Sequence, residues 1–264
     1  MLKSILKSKR AAFVAALLAF CGTTRADWEI LSTQILGTPA DGVEVLETQL
    51  QRKNPDGHAR LVAIVFNTRA HTIRLVDSPK PGETRLASLL ESRQAIGGVN
   101  GGYFEPDFTP VGLVISEGKT RQKFKKAKIL SGIVATSPKG TLSIFRSARF
   151  DPNPGAYREA IQCGPMLIEN SAPVPGLNAE KIARRTAVAT GSANQAALLY
   201  LTSVSLADTA EILALPKILG SWKPTTALNL DGGSSSTLWA RNTISLSEIK
   251  RVRNFIEVTN QYRD

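Results

Sequence analysis

Short apolar, β-branched runs set apart by glycine, proline and asparagine turns recur along most of this chain, and they restrict it to a strand-rich fold. Strands are predicted at residues 61–66, 72–76, 111–116, 129–135 and 141–145, and again at 166–168, 186–189, 196–202, 226–230, 236–240 and 255–259. Only two segments carry credible helical spacing. Residues 86–94 precede a strand-like stretch at 95–99, and residues 206–215 follow Ser205, whose spacing to Asp208 predicts a capping box before Pro216 ends or interrupts the helix. Strands that outnumber helices without regular alternation predict an α+β protein of strand-rich mixed sheets with a few flanking helices.

The first residues read as an export signal. Lys3, Lys7, Lys9 and Arg10 form a basic start, residues 11–20 an apolar run, and Thr24-Arg25-Ala26 a small-x-small cleavage site. The run is short for a membrane span, so a removed signal (residues 1–26) followed by one domain over 27–264 is expected, with no span after removal. Cleavage takes five basic residues and no acidic one from the 33 Lys+Arg and 22 Asp+Glu, moving the net charge from +11 to nearer +6. That excess suits an anionic envelope polymer, and no recognised nucleic-acid module accompanies it. Of the two cysteines only Cys163 would remain, which excludes an intramolecular disulfide. The periplasm is the expected compartment, with secretion as the alternative.

The chemistry concentrates where strands end at glycines. In Asn229-Leu230-Asp231-Gly232-Gly233 a strand delivers a carboxylate to a turn that continues into Ser234, Ser235, Ser236 and Thr237. Glycines there permit close backbone approach, and the freed N–H groups with the hydroxyls form a donor surface for an anion or sugar oxygens. Asn100-Gly101-Gly102-Tyr103-Phe104 repeats the design, and Gln162-Cys163-Gly164-Pro165-Met166 supplies a third glycine break. Each is also ordinary turn chemistry when taken alone. Arg184-Arg185-Thr186 opens a strand with two guanidiniums, whose planar donors match phosphate oxygens; on an extended chain one of the two should face solvent. Residues 119–128 hold six basic residues and no acid, and read as a solvated loop or hairpin, or as a surface for anionic glycans. No His- or Cys-rich ligand pattern is present, so no cofactor is expected; a structural calcium is not indicated, though scattered acids and carbonyls can bind one without a linear signature.

In their order these elements resemble the phosphodiester glycosidase family. The resemblance spans roughly residues 61–258. It rests on Asn100-Gly101-Gly102-Tyr103-Phe104, on Val111-Gly112-Leu113-Val114-Ile115-Ser116 with Gly118, and on Cys163-Gly164-Pro165-Met166-Leu167. Arg185-Thr186-Ala187, Asn229-Leu230-Asp231-Gly232-Gly233 with Ser235-Ser236-Thr237, and Arg253-Asn254 complete it. Family members commonly place a third glycine where this chain has Ser234. The resemblance implies hydrolysis of a sugar 1-phosphodiester between the anomeric carbon and a phosphate oxygen, the substrate being a phosphorylated sugar or an anionic envelope glycan.

Phosphate leaves as a stable anion, its second pKa being about 6, so protonating the leaving group matters less than in an ordinary glycoside. A carboxylate to steady the anomeric carbon or activate water, and cations to hold the departing phosphate, are the essentials. Asp231 is the candidate carboxylate and Arg185 the candidate clamp. Gly101, Gly102, Gly232 and Gly233 are expected to offer backbone donors, Asn100 and Thr186 to orient ligand oxygens, and Tyr103, Gly164, Ser234 and Ser235 to line the site. The sequence does not identify a second carboxylate; Glu105 and Asp107 are the nearest candidates by motif, and each also reads as a solvated loop acid. The alternatives are a module that binds phosphorylated glycans without turnover, and a serine hydrolase on residues 234–236, which lacks a Gly-x-Ser-x-Gly elbow.

Overall fold

The computed structural model describes residues 27–262 except 79 and 154, and the predicted export signal lies outside them. The largest of three sheets runs β1 (Trp28–Ala40), β2 (Val43–Lys53), β3 (Asp56–Asn67), β14 (Gln195–Val204), β13 (Ala183–Thr190), β15 (Thr226–Asn229), β11 (Met166–Glu169) and β12 (Ala172–Pro173). A second orders β7 (Lys119–Gln122), β6 (Val114–Ser116), β10 (Glu159–Cys163), β8 (Gly132–Thr136) and β9 (Leu142–Arg146). The third orders β17 (Ile244–Leu246), β16 (Leu238–Ala240), β5 (Gly97–Asn100), β18 (Asn254–Asn260) and β4 (His71–Asp77). Two α-helices, α1 (Leu86–Ser92) and α2 (Leu206–Ala214), flank the sheets.

The strand-rich α+β class holds, but the sheets expected to be mixed pair antiparallel throughout the described strands. Hairpin links such as β1–β2–β3, β6–β7, β8–β9 and β13–β14 reverse the chain, and no helical crossover returns it parallel.

Why β3 and β14 read as unbroken apolar runs follows from their two-sided burial. Val62, Ile64, Phe66, Leu198 and Tyr200 enter one core with Val99, Val114, Val134, Ile161 and Ile256, which draws on all three sheets. Their neighbours Leu61, Ala63, Leu199 and Leu201 point the other way, onto α2 through Ala210, Ile212 and Leu213. The predicted capping box starts α2: the Ser205 hydroxyl accepts from Asp208 N–H at 3.0 Å, and Asp208 accepts from Ser205 N–H at 3.0 Å. Asp208 also pairs with Arg52 at 2.8 Å and accepts from the Trp28 indole at 3.0 Å, tying the first hairpin to this helix.

Several strands escaped the apolar pattern, the short β12 and β17 among them. β1 is exposed or half-buried beyond Trp28 and β2 alternates with Glu, Thr and Gln, so neither forms an apolar run. In β10 the buried Glu159 and Gln162 interrupt the pattern. Two predicted strands begin late: 111–116 turns at Gly112 (φ 93°) before β6, and 129–135 becomes extended only at Gly132.

Glu159 sits where the second sheet meets the third. One carboxylate oxygen accepts from Leu75 and Glu117 N–H, both at 3.3 Å, and the other has no partner among the described residues. Burial pushes its carboxyl up to about 7 against those two bonds and the nearby Arg74 and Arg158. The folded value lies above the ordinary 4.5, so the stability that protonated Glu159 gives is full below about 4.5 and is lost as pH rises through about 7. Glu159→Gln should remove most of that loss, up to about 3 kcal/mol, so that its thermal midpoint exceeds wild type at pH 8 and matches it near pH 4. A variant less stable than wild type at alkaline pH would contradict this.

Candidate functional site

Register in the first and third sheets carries the separate glycine turns to one place. Asp231 N–H donates to Gly101 O at 3.0 Å, joining the turn after β15 to the turn after β5. Asn100, fully buried, donates from Nδ2 to Asp231 O at 2.7 Å, while its Oδ1 accepts from Thr186 Oγ1 at 2.8 Å and Thr237 N–H at 3.1 Å. Asn100 and Thr186 were expected to orient ligand oxygens. Instead they are buried and bonded to each other, bracing the turns from behind, because the facing strand ends already use their polar atoms.

Gly101 and Gly102 are also structural at the backbone level. Gly101 N–H donates to Asn254 O at 2.8 Å and Gly102 N–H to Asn254 Oδ1 at 2.9 Å, so neither donor is left for a ligand. A Cβ on Gly101 would stand 2.0 Å from Asn254 Oδ1. Gly101→Ala is therefore expected to cost about 1–3 kcal/mol in denaturant unfolding; an unchanged midpoint would show that the Asn254 brace gives way freely.

Asp231 borders open space. Its Oδ1 accepts from Gly232 N–H at 2.9 Å. Burial raises its carboxyl above the ordinary Asp value, against the opposing bonds from the Ser235 hydroxyl and Gly232 N–H. The one positive φ in this turn is at Gly233, 65°, and the turn closes as a 3-10 segment, Gly233–Ser235. Ser234 does not take a left-handed conformation, so its Cβ replaces glycine without backbone strain.

Both arginines reach this turn. Arg185 is buried on β13, with Nε donating to Val204 O at 3.1 Å and Nη2 to Lys181 O, and it makes no Nη1 hydrogen bond among the described residues. A Cβ on Gly232 would lie 3.8 Å from Arg185 Nη1, so the guanidinium rests against the glycine that follows Asp231. The neighbour expected to face solvent, Arg184, donates from Nε to Gly233 O at 2.9 Å and from Nη1 to Ser247 O at 3.3 Å. The β13–β14 register shifts between Ala183 and Arg185, and the turn takes up both guanidiniums where one was expected to face solvent.

Behind the carboxylate, Tyr103 donates its hydroxyl to Gly164 O, which also accepts from Asn229 Nδ2 at 2.9 Å. Asn229 Nδ2 further reaches the Tyr103 oxygen at 3.2 Å, and its Oδ1 is buried without a partner among the described residues. Burial holds the Tyr103 hydroxyl and the Cys163 thiol protonated, the thiol pushed up to about 12, so Cys163 is a neutral packing group. A Cβ on Gly164 would meet Ile129 O at 2.3 Å, which explains the glycine by packing.

Asp231 and Gly232 stand on the wall between two cavities. One, about 570 Å3, is lined by Arg185, Lys181, Lys128, Asn229 and Gly233. The other, about 630 Å3, is lined by Glu105, Phe104, Phe108, Ser234, Ser235 and Lys250. Tyr103 borders both. Asn100, Gly101, Gly102, Gly164 and Thr186 line neither; they build the support. Glu105 joins the second cavity, whereas Asp107 is exposed and accepts from Thr109 N–H at 2.9 Å within its own loop. Among the described residues, no three His, Cys, Asp or Glu side chains gather to hold a metal, and no helix is long and apolar enough to cross a membrane.

The family model described as phosphodiester glycosidase matches residues 93–259, which contain the whole of this arrangement. The chain belongs to the phosphodiester glycosidase family. Three solved structures share the fold seen here. A hypothetical protein from Synechocystis aligns with TM-score 0.62 and 17% identity over 84% of this chain; this chain covers 63% of that one. The catalytic domain of zebrafish N-acetylglucosamine-1-phosphodiester alpha-N-acetylglucosaminidase, auto-inhibited by its pro-peptide, aligns with TM-score 0.58 and 15% identity over 91% of this chain and 85% of its own. A third structure, of a protein from Burkholderia pseudomallei, gives 0.50 and 12% identity over 80% of this chain and 74% of its own. No curated protein sequence matches this chain.

Sequence reasoning gave no site role to Asn229, Lys181 or Arg184. Asn229 carried a usable signal, since positions 229 and 231 fall on the same face of an extended strand. Lys181 and Arg184 acquire their positions only from the fold.

Proposed function

We propose that this chain is an exported hydrolase of the periplasm that cleaves sugar 1-phosphodiesters between the anomeric carbon and the phosphate oxygen. The observation that carries the reading is a single cavity walled by both the Asp231 carboxylate and the Arg185 guanidinium. In this scheme the phosphate lies against Arg185, Lys181 and Lys128. The sugar ring lies on the other side of Asp231, against Phe104, Phe108 and the hydroxyls of Ser234 and Ser235. Water adds to the anomeric carbon and gives its proton to Asp231. The bond from that carbon to the phosphate oxygen breaks, its electron pair leaves on the phosphate, and a free sugar and a phosphomonoester result. Arg185 stabilises the charge that builds on the departing oxygen.

A panel of sugar 1-phosphodiesters, including a nucleotide sugar, turned over in isotopically labelled water tests this directly. The label should appear in the released sugar. Label in the phosphate would identify a phosphodiesterase instead, and binding without release across the panel would leave a glycan-binding module.

A further inference from the structure

The basic segment noted in the sequence adjoins the candidate site through one residue. Lys128 lines the cavity of Arg185 and Asp231, and it also lines a neighbouring cavity of about 740 Å3 bounded by Lys125, Lys126, Phe124 and Phe150. Phe124 and Phe150 stack with centroids 5.0 Å apart and planes 6° from parallel, giving this second cavity an apolar wall beside its cations.

The segment is held in place. Gln162, buried on β10, accepts at Oε1 from Lys125 N–H at 3.1 Å and donates from Nε2 to Lys125 O at 2.8 Å and Leu130 O at 3.1 Å. Both polar groups of the Lys125 backbone thus bind one buried amide, and the lysine side chains project from a fixed base. Arg146, also on this wall, is neutralised by Glu169. Among the described residues Lys125, Lys126, Lys128 and Lys181 join no ion pair. Like charges left unpaired side by side repel, and a polyanion relieves that repulsion.

We infer that the second cavity is a subsite for a further phosphate on the leaving side of the substrate, so that the preferred substrate carries at least two phosphates along one chain, with its carbon framework against Phe124 and Phe150. This rests on the proposed hydrolase reading for the direction of the leaving group, but the binding it requires does not depend on turnover.

The test uses propyl phosphate, with one phosphate, and a series of alkanediol bisphosphates of increasing chain length, with two. Calorimetry on the wild-type chain should show at least one bisphosphate binding about tenfold or more tightly than propyl phosphate at low salt, with the advantage shrinking as salt rises. Lys125→Ala/Lys126→Ala, which removes only exposed side chains, should erase the advantage and leave propyl phosphate affinity unchanged. Equal binding of one and two phosphates at every length, or an advantage that survives the double replacement, would overturn the subsite. Loss of turnover in every substrate alongside a retained bisphosphate advantage would instead sink the hydrolase reading and keep the subsite.

Discussion

Asp231→Asn is expected to lower kcat/KM for a sugar 1-phosphodiester about a thousandfold or more while raising the thermal midpoint at neutral pH. The two effects share one cause. Burial raises the Asp231 carboxyl above its ordinary value, outweighing the bonds from Ser235 and Gly232, so the ionised form that catalysis requires is the form the fold disfavours. With the folded value above the unfolded one, the stability given by the neutral acid is complete in acid and lost as pH rises through the folded value. The amide keeps an acceptor for Gly232 N–H and carries no charge, so its midpoint should pull ahead of wild type as pH rises and converge with it in acid. In the wild type the acidic limb of kcat/KM should lie above 3.8, the ordinary Asp value. A variant with wild-type turnover would remove Asp231 from the chemistry, and one that is inactive but less stable at neutral pH would assign the residue to the fold alone.

Arg185→Lys should lower kcat about a hundredfold with a smaller change in KM. The native guanidinium spends Nε and Nη2 on Val204 O and Lys181 O, which fixes its plane and leaves Nη1 beside Gly232. A lysine ammonium cannot serve both carbonyls and also reach the phosphate from one rigid fork. Because the lost donor acts on charge developing at the leaving oxygen, the defect should shrink for aglycones whose phosphate is already a good leaving group. A merely structural arginine would change the thermal midpoint and leave the leaving-group dependence of the variant parallel to wild type.

Tyr103 and Asn229 form the less obvious half of the site. Their shared bonds to Gly164 O hold the third glycine element against the strand that leads into Asp231. The ordered set of motifs thus reflects one cross-braced junction: the turn of Asn100 is bonded to Asp231, that of Asp231 is held by Arg184, and Gly164 is gripped by Tyr103. None of these bonds is visible locally, since Asn100 and Asp231 are 131 residues apart and Tyr103 and Gly164 are 61 apart.

What the sequence settled unaided were the features that depend on neighbours along the chain. Alternating and continuous apolar runs marked the buried strands, Ser205 and Asp208 marked the start of α2, and glycine pairs marked the strand ends, because backbone conformation and capping are short-range physics. Tertiary structure decided which polar groups remained available. It turned Asn100 and Thr186 into a buried brace, drew Arg184 onto the turn, left Arg185 Nη1 and Asn229 Oδ1 without partners among the described residues, and brought the residue 119–128 segment to the edge of the Asp231 cavity. A donor or acceptor is functional only if the fold has not already satisfied it, and that depends on the register between strands distant in sequence.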